Sequence, residues 1–159
     1  MHTAQLHRRA QGGFTLVELV SVIAVTGILT ATALPRLTAL TGEARYAQLR
    51  QAGSALMTVA TTAHGQFLID GRSTQTLQDV TVPLENGYPA ANQALADAAG
   101  LGNDYLVHSA SAGSMTVVPK DIAGTPRAAG CYLVYTQSPD MHTPPAVAVG
   151  SGTNGDSCT

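Results

Sequence analysis

Between Phe14 and Leu34 the chain carries a single charge, the carboxylate of Glu18, in a run of 21 residues (FTLVELVSVIAVTGILTATAL). An ionised acid inside such a segment costs on the order of 2–3 kcal/mol at mid-membrane, somewhat less near an end, and persists where it has a partner. No Lys or Arg between Phe14 and Leu34 supplies one. A partner arises if the peptide bond after Gly13 is cut. Phe14 then bears a positive α-amino group, and Glu18 stands four residues on, one helical turn away. Within one chain the carboxylate favours the helix N-terminus through the macrodipole. Between chains it meets a neighbour's amine, neutralises two costly charges at once and makes self-association the preferred state in apolar surroundings.

Other chemistry is sparse. Gly150-Ser151-Gly152-Thr153-Asn154-Gly155 spells G-x-G-x-x-G. A dinucleotide site also needs a strand before it, a helix after it and an acid about 20 residues on, and the chain ends at Thr159. The run therefore reads as a flexible loop. There is no G-x-x-x-x-G-K-[ST], so energy for assembly must come from another protein, and no G-x-S-x-G elbow. His64, His108 and His142 lack metal-ligand spacing and read as surface or capping residues. Asp140 and Asp156 flank the final loop and mark it as the place for a weak calcium site, but no metal and no cofactor are assigned. Tyr132 and Tyr135 fall on opposite faces of a strand, one toward the core. No enzyme activity is expected.

The elements that position Glu18 begin with residues 1–13, a polar stretch with Arg8, Arg9 and no acid. A helix over 14–34 reaches about 31 Å, enough to cross a bilayer core. The arginines would hold its start on the cytoplasmic side and send the bulk of the chain outward. A secretory signal peptide is the competing reading, with Ala31-Thr32-Ala33 as cleavage site and Leu34 as the new terminus. Signal h-regions, however, run about 7–15 residues and do not usually hold a carboxylate. Beyond Pro35 a second helical pattern runs from about Thr38 to Ile69. Its apolar stripe is Leu49, Ala52, Leu56, Val59, Ala60, Ala63 and Phe67, with Arg45, Gln48, Arg50 and Gln51 mostly off it. Asp70-Gly71 ends the helix. Thr76–Val82 reads as an extended connection, Asn86-Gly87 as a turn, and Pro89–Ala99 as a short helix with Pro at its start. Four extended runs follow, near Tyr105–Ser109, Ser114–Pro119, Cys131–Thr136 and Ala146–Val149. The class is α+β: one long helix, membrane-spanning in its first half and amphipathic in its second, packed on a small antiparallel β-sheet.

The segment Gly13-Phe14-Thr15-Leu16-Val17-Glu18-Leu19 resembles the processing site of type IV pilins and the related pseudopilins. That resemblance implies cleavage by a prepilin peptidase after Gly13, N-methylation of Phe14, and subunit assembly governed by Glu18. It extends to Gly27 and Pro35, the positions between which the long helix of that family often unwinds in the filament; Gly27 costs helix stability and Pro35 removes a helical hydrogen bond. Many family leaders carry Lys or Arg just before the glycine, where this chain has Gly12. A finer similarity lies in Gly87-Tyr88-Pro89 and Cys131-Tyr132-Leu133-Val134-Tyr135-Thr136, followed by Pro144, Pro145 and Cys158. This combination looks like the mannose-sensitive haemagglutinin pilins of Gram-negative bacteria.

Composition agrees with an exported, self-associating protein. The 159 residues suit one ordinary domain, 45% are hydrophobic and only 11% charged, against roughly 25% in average soluble domains. Eight basic against ten acidic residues, with Lys120 the only lysine, offer no field for a run of phosphates. Loss of Arg8 and Arg9 with a leader would leave six against ten, so nucleic acid is not an expected partner. In the oxidising compartment that export implies, Cys131 and Cys158 would close a loop worth roughly 3–4 kcal/mol; otherwise they are two free thiols. Pilins commonly carry such a loop, whereas many pseudopilins use calcium instead.

The organisation expected is thus a leader over 1–13, a transmembrane and filament-core helix over 14–36, and a pilin head over 37–159 with the disulfide loop 131–158. The precursor would sit in the inner membrane. It would meet prepilin peptidase and a separate pilus assembly platform and ATPase, then polymerise into a homo-oligomeric helical filament on a Gram-negative surface, serving adhesion. A type II secretion pseudopilin, a minor pilin and a secreted soluble binding domain are the alternatives.

Overall fold

The computed structural model describes residues 14–159. Residues 1–13, expected to form a leader and including Arg8, Arg9 and Gly13, lie outside the described residues. The described chain is α+β, led by helix α1, Leu16–Asp70, 55 residues with Pro35 inside it. It separates into two units at Leu37/Thr38. In the first, every described residue from Phe14 to Leu37 is exposed.

In the second unit the later part of α1 has a stripe that repeats every three or four residues, and Leu49, Ala52, Leu56, Ala60 and Ala63 on it are fully or almost fully buried. Val59 and Phe67, expected on the same stripe, sit at its margins, half-buried. The helix stops where Gly71 turns left-handed (φ +66°) and its N–H reaches back to the Phe67 carbonyl at 2.8 Å, a conformation that glycine adopts at no steric cost.

Two antiparallel sheets follow where the sequence suggested one. The first has the order β1-β2-β3: β1 Thr74–Leu77, β2 Val80–Glu85 and β3 Tyr88–Pro89. The second has the order β4-β5-β6-β7: β4 Tyr105–Ser111, β5 Ser114–Pro119, β6 Leu133–Thr136 and β7 Ala146–Val149. These last four strands match the four extended runs of the sequence closely. Thr76–Val82 is not a connection but the centre of a hairpin, with Leu77 opposite Val80 and both turn residues, Gln78 and Asp79, at positive φ (48° and 64°). The pair lacks the Asn-Gly or Asp-Gly that normally announces such a turn. Nor does Pro89 open a helix: it lies in β3 and pairs with Leu84 of β2. Helix α2 spans Gln93–Ala98 and starts at Asn92, whose Oδ1 accepts the Leu95 N–H at 3.2 Å. An asparagine that caps N–H groups outcompetes a proline as the start signal.

The α1 stripe meets Met115, Val117, Leu133 and Tyr135 from the second sheet, with Val82, Leu95 and Ile122 completing one core. Tyr132 and Tyr135 part as expected. Tyr135 is fully buried and donates its hydroxyl to the Pro89 carbonyl at 2.7 Å; burial pushes its phenol well above the ordinary range. Tyr135→Phe leaves that carbonyl without its donor and is expected to cost about 1–3 kcal/mol in urea unfolding of the full chain; an unchanged midpoint would show the bond to be neutral. Tyr132 is half-buried, its ring seated on Gly150, where a Cβ would come within 2.3 Å of Cζ. Gly150, Gly152 (φ +80°) and Gly155 are thus packing and turn residues. The G-x-G-x-x-G run follows β7 but leads into turns, not into a helix.

Candidate functional site

The start of α1 is built by local capping. Thr15 precedes the first helical residue; its Oγ1 accepts the Glu18 N–H at 3.2 Å and its carbonyl accepts the Leu19 N–H at 3.1 Å. Thr15-x-x-Glu18 has the spacing of a capping box. The Thr-x-x-Glu spacing just ahead of an apolar run is the sequence signal of this role of Thr15. The consequence is that the backbone of Glu18 is held by Thr15, whereas its carboxylate makes no hydrogen bond or ion pair among the described residues. Phe14, one turn ahead, is 87% exposed.

The rest of the segment hides its polarity. Ser21 donates its hydroxyl to the Glu18 carbonyl (2.8 Å), Thr26 to Val22 (2.8 Å), Thr30 to Thr26 (2.7 Å) and Thr32 to Leu29 (2.9 Å). A hydroxyl bonded to its own helix exposes little unmet polarity to hydrocarbon. Val17, Val20, Ile23, Ile28 and Leu34 all stand exposed, and the helix is long and apolar enough to cross a membrane. Around Gly27 nothing lies within 4 Å of where a Cβ would stand. The helix is continuous through Gly27 and Pro35 in this single chain, although Pro35 has no N–H to give to the Ala31 carbonyl.

In the head, Cys131 and Cys158 are disulfide-bonded, with Cα atoms 4.9 Å apart and both residues fully buried. Arg45, read from sequence as off the buried stripe, locks this loop to α1. Its Nη1 donates to the Cys158 carbonyl at 2.6 Å and its Nε to Asp121 Oδ2 at 2.8 Å. Gly42 helps, since a Cβ there would lie 2.1 Å from the Gly155 carbonyl. Ser157 donates its hydroxyl to the Gly130 carbonyl at 2.6 Å. Contacts separated by this much sequence leave no local pattern from which to predict them.

Of the polar residues weighed for chemistry, His64 and Asp140 have structural partners, whereas His108, His142 and Asp156 are exposed. His64 Nδ1 lies 2.9 Å from the Gly87 carbonyl and its ring stacks on Tyr88 at 3.9 Å, nearly parallel. Gly87 (φ +78°) permits this, because a Cβ there would meet Phe67 at 2.7 Å. Asp140 accepts the N–H groups of His142 and Thr143, both at 2.8 Å, and those bonds hold its carboxyl below the ordinary range. Among the described residues no group of three His, Cys, Asp or Glu side chains is placed to hold a metal.

The N-terminal segment is what comparison with known families picks out. Residues 8–34 match the prokaryotic N-terminal methylation motif. No curated protein and no solved structure matches the chain. The matched residues include Glu18 and Gly27 and end one residue before Pro35. Such a motif indicates a type IV pilin-like or pseudopilin precursor. The exposed apolar helix fits an inner-membrane precursor, and the α+β head on a long helix fits the pilin architecture.

Proposed function

We propose that this protein is the structural subunit of a type IV pilus. Prepilin peptidase cuts after Gly13, releasing the leader 1–13, and Phe14 becomes the methylated N-terminus. Residues 14–36 then form the filament core, in which Glu18 of each subunit pairs with the α-amine of a neighbour. Residues 37–159 form the head on the filament surface. The observation that carries this reading is the methylation motif leading into a helix whose only charge up to Leu34 is Glu18. Stretching of the helix between Gly27 and Pro35 on assembly, where glycine and proline weaken it, belongs to the same proposal.

The Cys131–Cys158 loop supports a pilus subunit over a type II secretion pseudopilin, and the Gly87-Tyr88-Pro89 and Cys131–Thr136 segments support the mannose-sensitive haemagglutinin type, an adhesive pilus of a Gram-negative surface. Assembly would draw on a separate platform and ATPase. The decisive measurement is N-terminal mass spectrometry of protein sheared from cells. An N-methylated Phe14 in the sheared fraction is the expected result. A Leu34 terminus, or an intact Met1, would overturn the pilin pathway and return the protein to the secreted or anchored binding modules.

A further inference from the structure

Two clefts run along opposite flanks of α1 within the head. One, of about 700 Å³, lies between Gln48 and Ala55 of the helix and Asp104, Tyr105, Lys120 and Asp121 at the ends of β4 and β5. The other, of about 480 Å³, lies between Arg50 and Met57 of the helix and Leu133 and Val147 of the sheet. At 100° per residue, Gln48 and Ala55 fall on one side of the Leu49–Leu56 stripe and Arg50 and Met57 on the other, on the same turns. Gly53 lets the second flank sit close to the sheet, since a Cβ there would meet Val147 at 3.0 Å.

Their charges are opposite and unspent. Arg50 is exposed, the only charged residue of its cleft, and its guanidinium makes no ion pair or hydrogen bond among the described residues. In the other cleft, Lys120 Nζ is held by the carbonyls of Gly102 (2.9 Å) and Asn103 (2.8 Å), and Asp121 is paired with Arg45. That leaves the exposed carboxylate of Asp104, which makes no such bond among the described residues. Tyr105 registers both acids: burial chiefly, and then the charges of Asp104 and Asp121, raise its phenol above the ordinary range. The floor at Ala52, Ala55 and Leu101 suits the methylenes of an arginine whose fork reaches a carboxylate.

We propose that Arg50 of one copy enters the Asp104 cleft of the next copy, so that neighbouring heads pack flank to flank. The contact rests on the filament reading and specifies its partner as a second copy of this chain. Because it joins two different patches, it is heterologous, and its repetition generates an open helical array in place of a closed dimer.

The test uses the full chain in cells, with sheared filaments as readout. Arg50→Glu alone and Asp104→Lys alone are each expected to lower filament yield about tenfold, since either sets like charges against each other. The double variant is expected to return to within about twofold of the parent. Arg50→Cys with Asp104→Cys is expected to give a ladder of multimers from sheared filaments on a non-reducing gel. Parent-level filaments from both single variants, a failure of the double variant to recover, or filaments without a ladder would each overturn the contact while leaving the pilus intact. A parent chain that forms no filament would instead overturn the pilus reading, and the contact with it.

Discussion

Glu18→Ala is expected to leave the cut after Gly13 intact and to abolish filaments, with at least a hundredfold less protein in the sheared fraction. The geometry at the helix start is why the two effects separate. The α1 N-terminus is capped by Thr15, whose hydroxyl holds the backbone N–H of residue 18, and this bond needs no side chain at that position. Alanine also has the higher helix propensity, so the segment folds and inserts as before. What is lost is the partner of a neighbour's Phe14 amine. Removing one member of a desolvated ion pair costs about 3–5 kcal/mol, because the other is left buried and uncompensated, and about 3 kcal/mol is already a factor of a hundred. Mass spectrometry of the membrane fraction checks the cut, and an immunoblot of the sheared fraction checks assembly. Normal piliation of this variant would end the pairing argument.

Cys131→Ser is expected to destabilise the head by about 3–4 kcal/mol, lowering its melting temperature by about 10–20 °C. The bond joins Cys131, two residues before β6, to Cys158 beyond β7, so it closes the last two strands and their loops into one ring. Both cysteines are fully buried, so serine also places a hydroxyl where a sulfur had packed. Arg45 and Ser157 still hold the closing segment by hydrogen bonds, which makes the expected result a weakened fold rather than an absent one. Thermal melts of the full chain with and without reductant measure the same quantity. Identical melts for parent and variant under oxidising conditions would show that the disulfide contributes nothing.

The two predictions differ in how far each could be read without a structure. Glu18 is singled out by residue types along a short stretch alone: an apolar run of membrane length, one acid, a glycine–phenylalanine bond and two arginines before it. Likewise the α1 stripe from Leu49 to Ala63, the end at Asp70-Gly71, and strands β4 to β7 announce themselves by periodicity, a turn glycine and β-branched runs. Hairpin β1–β2 did not, because Gln78 and Asp79 adopt positive φ without the glycine that normally signals it. The start of α2 is hidden in the same way, because Pro89 has the place of a helix opener but is held in a strand by pairing with Leu84.

Local residue order is enough to place the chain in the α+β class and to single out the Phe14–Leu34 segment, because capping, helix periodicity and the cost of a charge in an apolar run are settled by residues within a turn or two of one another. The split of the strands into two sheets, the hold of Arg45 on Cys158 and Asp121, the closure of Tyr135 on Pro89, and the placing of Arg50 and Asp104 at clefts on opposite flanks of α1 all come from the three-dimensional fold. Those outcomes depend on which distant side chains share the same space, and chain separations of 46 to 113 residues carry no local signal of it.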